Sequence, residues 1–224
     1  MKNKYKNKSH LSERRFRFVL QEFVLGTEAS KAAIKAGLNR KTANKIYNQI
    51  RARIVLLAER ERPVGMTNVQ IDEAYFGASK ATRSWYNSKT AVLGIISSKR
   101  VYTKILTRVS KSEIFAEIRA TCKPGTTIFT DAAPMYKGLA NEGFIHKAVN
   151  HSEYEFGRKE GGLNVTTNRI ESYWAWTRLR LSRFKGIRYD KHYIHLKESE
   201  WRFNHRREDI YRLLLKMFRA DPLF

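Results

Sequence analysis

The hydrophobic period of the chain changes once, at Glu61-Arg62-Pro63-Val64-Gly65, and this change limits the folds open to it more than any other feature. From Ser12 to Leu57 the apolar residues fall at steps of three and four: Phe16, Val19, Leu20 and Phe23, a small-residue stretch from Ala29 to Ala36, then Ala43, Ile46, Tyr47, Ile50, Ile54 and Leu57. Those steps stack side chains on one face of a helix, whose turn takes 3.6 residues. Beyond the break, short β-branched runs bounded by turn residues take over, which is the pattern of strands. A chain that switches period in this way is expected to be an all-α segment followed by an α/β one.

Strands are expected at Val69 to Tyr75, Thr90 to Ser97, Val101 to Leu106, Thr126 to Thr130 and His146 to Asn150, with Ser98-Lys99-Arg100 as a hairpin turn. Helices are expected from Ser112 to Thr121, from Pro134 to Leu139, from Asn168 to Leu181, and from Lys191 to Phe218 with a break near Asn204; Gly161-Gly162 falls in a polar loop. Three antiparallel strands followed by alternating helices and strands make a five-stranded mixed sheet flanked by helices. The expected boundaries are a Lys- and Asn-rich arm at 1–10, disordered when free, a helical domain at 11–62, and an α/β domain at 66–224 that includes the C-terminal helices.

Lys and Arg number 44 against 21 Asp and Glu, a net charge of +23, and the positive residues recur from Lys2 to Arg219. A field of that sign attracts polyanions, so nucleic acid is the expected partner; a ribosomal-type or simply basic protein is the plainer alternative. One cysteine, Cys122, excludes an intramolecular disulfide and any Cys-rich zinc module. No stretch approaches the roughly 20 apolar residues of a membrane span, and Met1-Lys2-Asn3-Lys4-Tyr5-Lys6 lacks the apolar core of a secretion signal. The expectation is a cytoplasmic protein with no membrane contact.

In the helical segment, Gly37-Leu38-Asn39 separates a short helix from a longer one, the layout of a helix-turn-helix. The outer face of the longer helix carries Arg40, Lys41, Asn44, Lys45, Asn48 and Arg51. Arg and Asn can make paired hydrogen bonds to guanine and adenine edges, so this face is the candidate DNA-reading surface. A three-helix bundle with a solvated basic face would show the same residues.

Acids are scarce, and a few stand at the ends of apolar segments: Asp72 in Val69-Gln70-Ile71-Asp72-Glu73-Ala74-Tyr75-Phe76-Gly77, Asp131 in Ile128-Phe129-Thr130-Asp131, and Asn168 and Glu171 in Thr167-Asn168-Arg169-Ile170-Glu171. Successive strand residues face opposite ways, so Asp72 and Glu73 cannot both reach one metal. Asp72, flanked on its own face by Gln70 and Ala74, is the candidate ligand. Asp131 ends a strand, where open α/β sheets present ligands, and could equally close an Asx turn before Pro134. Asn168 or Glu171 could supply a third oxygen, although Asn-x-x-Glu is also a capping box. Such a cluster suits Mg²⁺ or Mn²⁺, and two ions about 3.5 to 4 Å apart can serve phosphoryl transfer.

Arg178 lies two turns beyond Glu171 on the same helical face and could hold a phosphate. Trp174 and Trp176 could stack on a base, but aromatics among Ile170, Tyr173 and Leu181 read first as core. His146 and His151 read as loop residues around the fifth strand.

Ile71-Asp72-Glu73-Ala74-Tyr75-Phe76-Gly77, Thr130-Asp131 with Tyr136 and Leu139, Val149-Asn150-His151-Ser152, Thr167-Asn168-Arg169-Ile170-Glu171-Ser172-Tyr173-Trp174 and Arg202-Phe203-Asn204-His205-Arg206 together resemble bacterial insertion-sequence transposases. The resemblance runs from about Val69 to Arg207 and points to the subgroup of the DDE type with Asn in place of the third acid. It implies a ribonuclease-H-like fold, with Asp72, Asp131 and Asn168 as the metal-binding triad and Glu171 close by. It further implies cleavage at transposon ends, attack of the freed 3′-hydroxyl on target DNA, and action as a dimer or larger assembly near the bacterial nucleoid. The family pattern often carries Lys where this chain has Arg178, and relatives often carry an N-terminal zinc ribbon that this chain lacks. A junction resolvase or a catalytically inactive DNA-binding regulator would share many of these features.

Overall fold

The break in hydrophobic period falls where the backbone changes from helix to strand. The computed structural model describes residues 3–77, 89–149, 158–160, 162–184 and 186–224. They form two compact units, one made of Met1–Arg60 with Trp201–Phe224 and the other of Glu61–Glu200.

The first unit opens with α1 (Glu13–Val24), capped by Ser12, whose Oγ accepts from the Arg15 N–H at 3.3 Å. Helix α2 (Ala29–Ala36) stops at Gly37, whose φ of +61° costs a residue without Cβ nothing, and α3 (Arg40–Arg60) follows. Their apolar stripes meet in one core that includes Phe16, Leu20, Phe23, Ile46, Tyr47, Ile50 and Ile54.

Both ends of the chain join this core, which corrects two expectations. Residues 1–10 were expected as a free arm, yet Tyr5 is 2% exposed and its ring stacks on Phe16 at 5.6 Å. Asn3 ties the segment down: its Oδ1 accepts from the N–H groups of Tyr5 (2.9 Å) and Lys6 (3.2 Å), and its Nδ2 donates to Leu11 O (2.8 Å). One aromatic anchor and one amide outweigh a disorder-prone composition. The C-terminal helix α7 (Ile210–Ala220) was expected with the α/β domain, but Leu214 and Phe218 are buried with Phe16 and Leu20, so the helical unit is completed from the far end of the chain.

The second unit is built on a five-stranded sheet in the order β3-β2-β1-β4-β5. Its strands are β1 (Val69–Phe76), β2 (Thr90–Ile96), β3 (Val101–Ile105), β4 (Thr127–Asp131) and β5 (Ile145–Val149). The first three pair antiparallel, whereas β4 runs parallel to both β1 and β5. Helix α4 (Lys111–Thr121), capped by Ser110, provides the crossover from β3 to β4. The mixed α/β sheet is as expected and is consistent with a ribonuclease-H-like architecture. A small antiparallel pair, β6 (Arg158–Glu160) with β7 (Leu163–Val165), stands where a polar loop was expected. Helix α5 (Asn168–Ser182) follows, then α6 (His192–Asn204). The short expected helix after Pro134 is two 3₁₀ turns, Pro134–Tyr136 and Leu139–Glu142.

Alternation along β1 sorts its side chains between two faces. Val69 and Ile71 enter a core with Leu93, Ile95, Ile114, Phe115, Ile118 and Ile128. Gln70, Asp72 and Ala74 face the other way, beneath α5. The outer edge, β3, is covered by polar side chains of α6: the Thr103 N–H donates to Glu200 Oε2 at 2.8 Å, and Lys197 Nζ donates to Thr103 O at 3.0 Å. An open edge invites pairing with another chain, and this ion pair occupies the free N–H and C=O of Thr103 at the middle of β3. Among the described residues no helix is long and apolar enough to cross a membrane.

Candidate active site

Asp72 lies opposite Gly94 in the β1–β2 register, and Gly94 lies opposite Thr103 in the β2–β3 register, so the three positions form a row on one face. Helix α5 presses down on that row. A Cβ at Gly94 would stand 2.4 Å from Trp174 Cζ2 and 2.8 Å from Ile170 Cδ1, so glycine is what allows the approach. Gln70, one step along the same face, accepts from the N–H groups of Arg169 (2.8 Å) and Ile170 (3.1 Å) with its Oε1. The start of α5 is thereby fixed beside Asp72. Farther along, Trp174 packs edge-on to Phe76 with centroids 5.9 Å apart, and the Arg178 guanidinium lies 5.8 Å over the Phe76 ring.

Strand β4 brings the second acid. Val69 pairs with Ile128 and Gln70 with Phe129 in parallel, and the same register carried two residues farther puts Asp72 level with Asp131. The Asp72 carboxyl is pushed up to about 6, by burial first and then by the charge of Asp131, with Glu171 adding to it. The Trp174 indole N–H is buried without a hydrogen bond of ordinary geometry, yet lies close enough to Asp72 to favour its anion. Asp131 Oδ1 accepts from the Ala133 N–H at 3.1 Å, so the Asx turn forms and leaves the other oxygen outside that turn.

Glu73 points to the opposite face, where the Tyr136 hydroxyl donates to its Oε1. Burial lifts the Glu73 carboxyl to about 7, against the pull of that hydrogen bond. The link ties β1 to the segment just after Asp131. His146 stands half-buried on β5 against Thr130 Oγ1 at 2.9 Å, and burial lowers its basicity.

The capping residue of α5 is Thr167, which places Asn168 at the first helical position. Glu171 does fold back, but onto the Thr167 hydroxyl, which donates to its Oε1 at 2.6 Å. The capping box read from Asn168 and Glu171 does not form, because Asn168 is already helical and Thr167 makes no side-chain bond to an N–H of the helix. Asn168, Glu171 and Arg178 all lie exposed on α5. Trp174 is core at 1% exposure, and Trp176 is half-buried near the Tyr173 ring. Asn150, His151 and Ser152 lie outside the described residues.

Asp72 and Asp131 therefore come together, Glu171 is within reach of their charge, and Asn168 stands one turn before Glu171. Among the described residues no three His, Cys, Asp or Glu side chains are drawn close enough to enclose a metal ion by themselves. The donor set is made of hard oxygens, and burial beside the charge of Asp131 disfavours the anion of Asp72, a cost that a divalent cation relieves. Gln70, Gly94 and the Glu73–Tyr136 pair were not singled out from sequence. The signal for Gln70 was there, a polar residue in phase with Asp72 along a buried strand.

In the helical unit, Arg40, Lys41, Asn44, Lys45 and Asn48 are exposed along α3, and Lys41, Asn44, Lys45, Asn48, Gln49 and Ala52 line a groove of about 540 Å³. Arg51 departs from this set: its guanidinium lies 5.5 Å over the Phe23 ring and 5.7 Å over that of Tyr47. Attraction to two aromatic faces turns it back onto its own unit.

Residues 65–204, more than half of the chain, match the model of the ISXO2-like transposase domain. The chain is also 31% identical over 105 residues to an uncharacterized transposase-like protein of Haemophilus influenzae, an overlap covering 47% of this chain and 81% of that protein. The matched span begins just before β1 and closes at the end of α6, so it takes in the row of residues described above. The chain belongs to the ISXO2-like transposase family.

Proposed function

We propose that the protein is a DNA transposase that binds transposon ends and carries out metal-dependent strand cleavage and strand transfer, with Asp72, Asp131 and Asn168 holding the metal and Glu171 alongside. The observation that carries this reading is that β4 runs parallel beside β1, with Gln70 opposite Phe129, and brings Asp131 near enough for its charge to act on Asp72, at the point where α5 begins. Bound there, Mg²⁺ or Mn²⁺ would polarise a phosphodiester and stabilise the leaving oxygen. The chain's own residues would do the rest. Asp72 and Asp131 supply oxygens from rigid strands, Asn168 an amide oxygen without added charge, and Arg178, braced by Phe76, a cation for a flanking phosphate.

The α2–α3 pair, with its left-handed turn at Gly37, fits a helix-turn-helix that would present Arg40, Lys41, Asn44, Lys45 and Asn48 to a DNA groove. Arg51 would support that helix from its inner side. Joining two ends to one target would need at least two copies of the chain.

The test is incubation of the protein with a labelled terminal-repeat duplex and a target plasmid, with Mg²⁺, Mn²⁺ or EDTA. Nicked and joined products are expected with either metal, and Asp72→Ala should lower both by at least about 10³-fold while still shifting the duplex in a gel. Cutting by Asp72→Ala at the parental rate would refute the site. Nicking without joining would point to a resolvase-like nuclease instead.

A further inference from the structure

Gln70 is wholly buried, at 0% exposure, on the strand that carries Asp72 and on the same face. Its side chain touches something specific. Oε1 takes two main-chain N–H groups, those of Arg169 at 2.8 Å and Ile170 at 3.1 Å, in the first turn of α5. Those N–H groups belong to the end of a helix that cannot bond them internally. Asn168 immediately precedes them and Glu171 immediately follows. The opposite end of the amide, Nε2, is buried without a hydrogen-bond partner among the described residues. A position chosen only to fill space would be apolar, because an unpaired buried donor is unfavourable. The amide is kept despite that cost, and the bonds it makes all run to the turn bearing the third candidate ligand.

We infer that Gln70 is a positioning residue for the metal site: it clamps the first turn of α5 to β1 and so sets where Asn168 and Glu171 stand relative to Asp72. This rests on the metal-site reading given above and adds the residue that holds the third ligand at its distance. Strand pairing can align Asp72 with Asp131, since both lie on the sheet. Strand pairing does not align a helix residue with them, so α5 needs a separate tie from a side chain of the sheet. Gly94 lets the helix come close, and Gln70 decides its level along the strand.

The experiment measures Mn²⁺ binding to the full chain by electron paramagnetic resonance, beside thermal melting followed by circular dichroism. Gln70→Met keeps length and bulk but removes the acceptor; it should weaken Mn²⁺ binding by about 10- to 100-fold, the usual range for a partner that orients a metal ligand. Gln70→Glu keeps an oxygen for the two N–H groups and should restore binding to near the parental level or better. Asn168→Ala should weaken Mn²⁺ binding in the parent but change it little on top of Gln70→Met, because a misplaced ligand has little left to lose.

A Gln70→Met protein that melts earlier yet binds Mn²⁺ like the parent would overturn the inference, since a purely structural role moves only the melt. So would a Gln70→Glu protein no better than Gln70→Met, or additive effects of Gln70→Met and Asn168→Ala. Should Gln70→Met not fold, Gln70→Asn decides the matter, because it keeps the amide but shortens its reach and should also weaken Mn²⁺. Asp72→Ala separates the two readings. If it binds Mn²⁺ like the parent, the metal site itself is wrong; if it loses Mn²⁺ while Gln70→Met keeps it, only the clamp is wrong.

Discussion

The two faces of the five-stranded sheet are made differently. Beneath α4, Ile71, Leu93, Ile95 and Ile128 meet Ile114, Phe115 and Ile118 in an apolar layer, with the Glu73–Tyr136 hydrogen bond at its margin. Beneath α5 and α6 the layer is mixed: Ala74, Val92, Ile170 and Trp174 share it with the buried polar and charged groups Gln70, Thr103, Lys197, Glu198 and Glu200 and with the half-buried Asp72, and Arg180 of α5 pairs with Glu198 and donates to Ser199 Oγ at 2.8 Å. Burying charge contributes little net stability even when it is paired, whereas burying aliphatic side chains contributes about 1.5–3 kcal/mol each. The first face is held almost wholly by apolar burial, and the second adds to its apolar contacts polar and charged pairs that fix where α5 and α6 sit.

The largest effect expected is at Glu200. Glu200→Ala would leave Lys197 buried without its carboxylate and the Thr103 N–H open at the sheet edge, and should cost about 3–5 kcal/mol in urea unfolding. Ile118→Ala on the apolar face should cost about 2–4 kcal/mol by loss of burial and the cavity left behind, with Mn²⁺ binding of the folded protein unchanged. A Glu200→Ala cost well below that of Ile118→Ala would break the comparison, because it would mean that the polar network is not integral to its face.

A smaller and opposite effect is expected at Asp72. Its carboxyl sits at about 6 in the folded protein against an ordinary 3.8, so folding binds protons more tightly there than the unfolded chain does. The stability this contributes is present in full below about 3.8 and is lost as pH rises through about 6. Asp72→Asn, neutral at every pH, should thus melt higher than the parent at pH 7 to 8 in EDTA, by on the order of 1–3 kcal/mol, and the advantage should vanish below about pH 4. Equal melting of both proteins across that range would show that Asp72 carries no electrostatic strain. The same substitution should abolish cutting, so a gain in stability and a loss of activity would come from one atom.

Much of this was legible in the amino-acid order, for a physical reason. Period is local, so the switch at Pro63-Val64-Gly65, the turn at Gly37 and the opposite facing of Asp72 and Glu73 follow from residues a few positions apart. The expected set of β1, β2, β3, β4 and β5 follows from the same kind of signal. Caps were readable only to within a residue, because Thr167, Asn168 and Glu171 offer competing partners to one helix end.

The tertiary structure decided what depends on which surface meets which. It set β4 beside β1 and so made neighbours of two acids far apart in sequence. Tyr5, Leu214 and Phe218 went to the helical core, because exposed apolar stripes accept whatever segment can reach them. Arg51 turned onto Phe23 and Tyr47 instead of outward. Above all, it gave the amide of Gln70 two N–H groups from a helix about a hundred residues away. A single polar residue on a buried strand announces that it needs a partner; only the packed chain says which one, since hydrogen bonds depend on distance in space and not along the backbone.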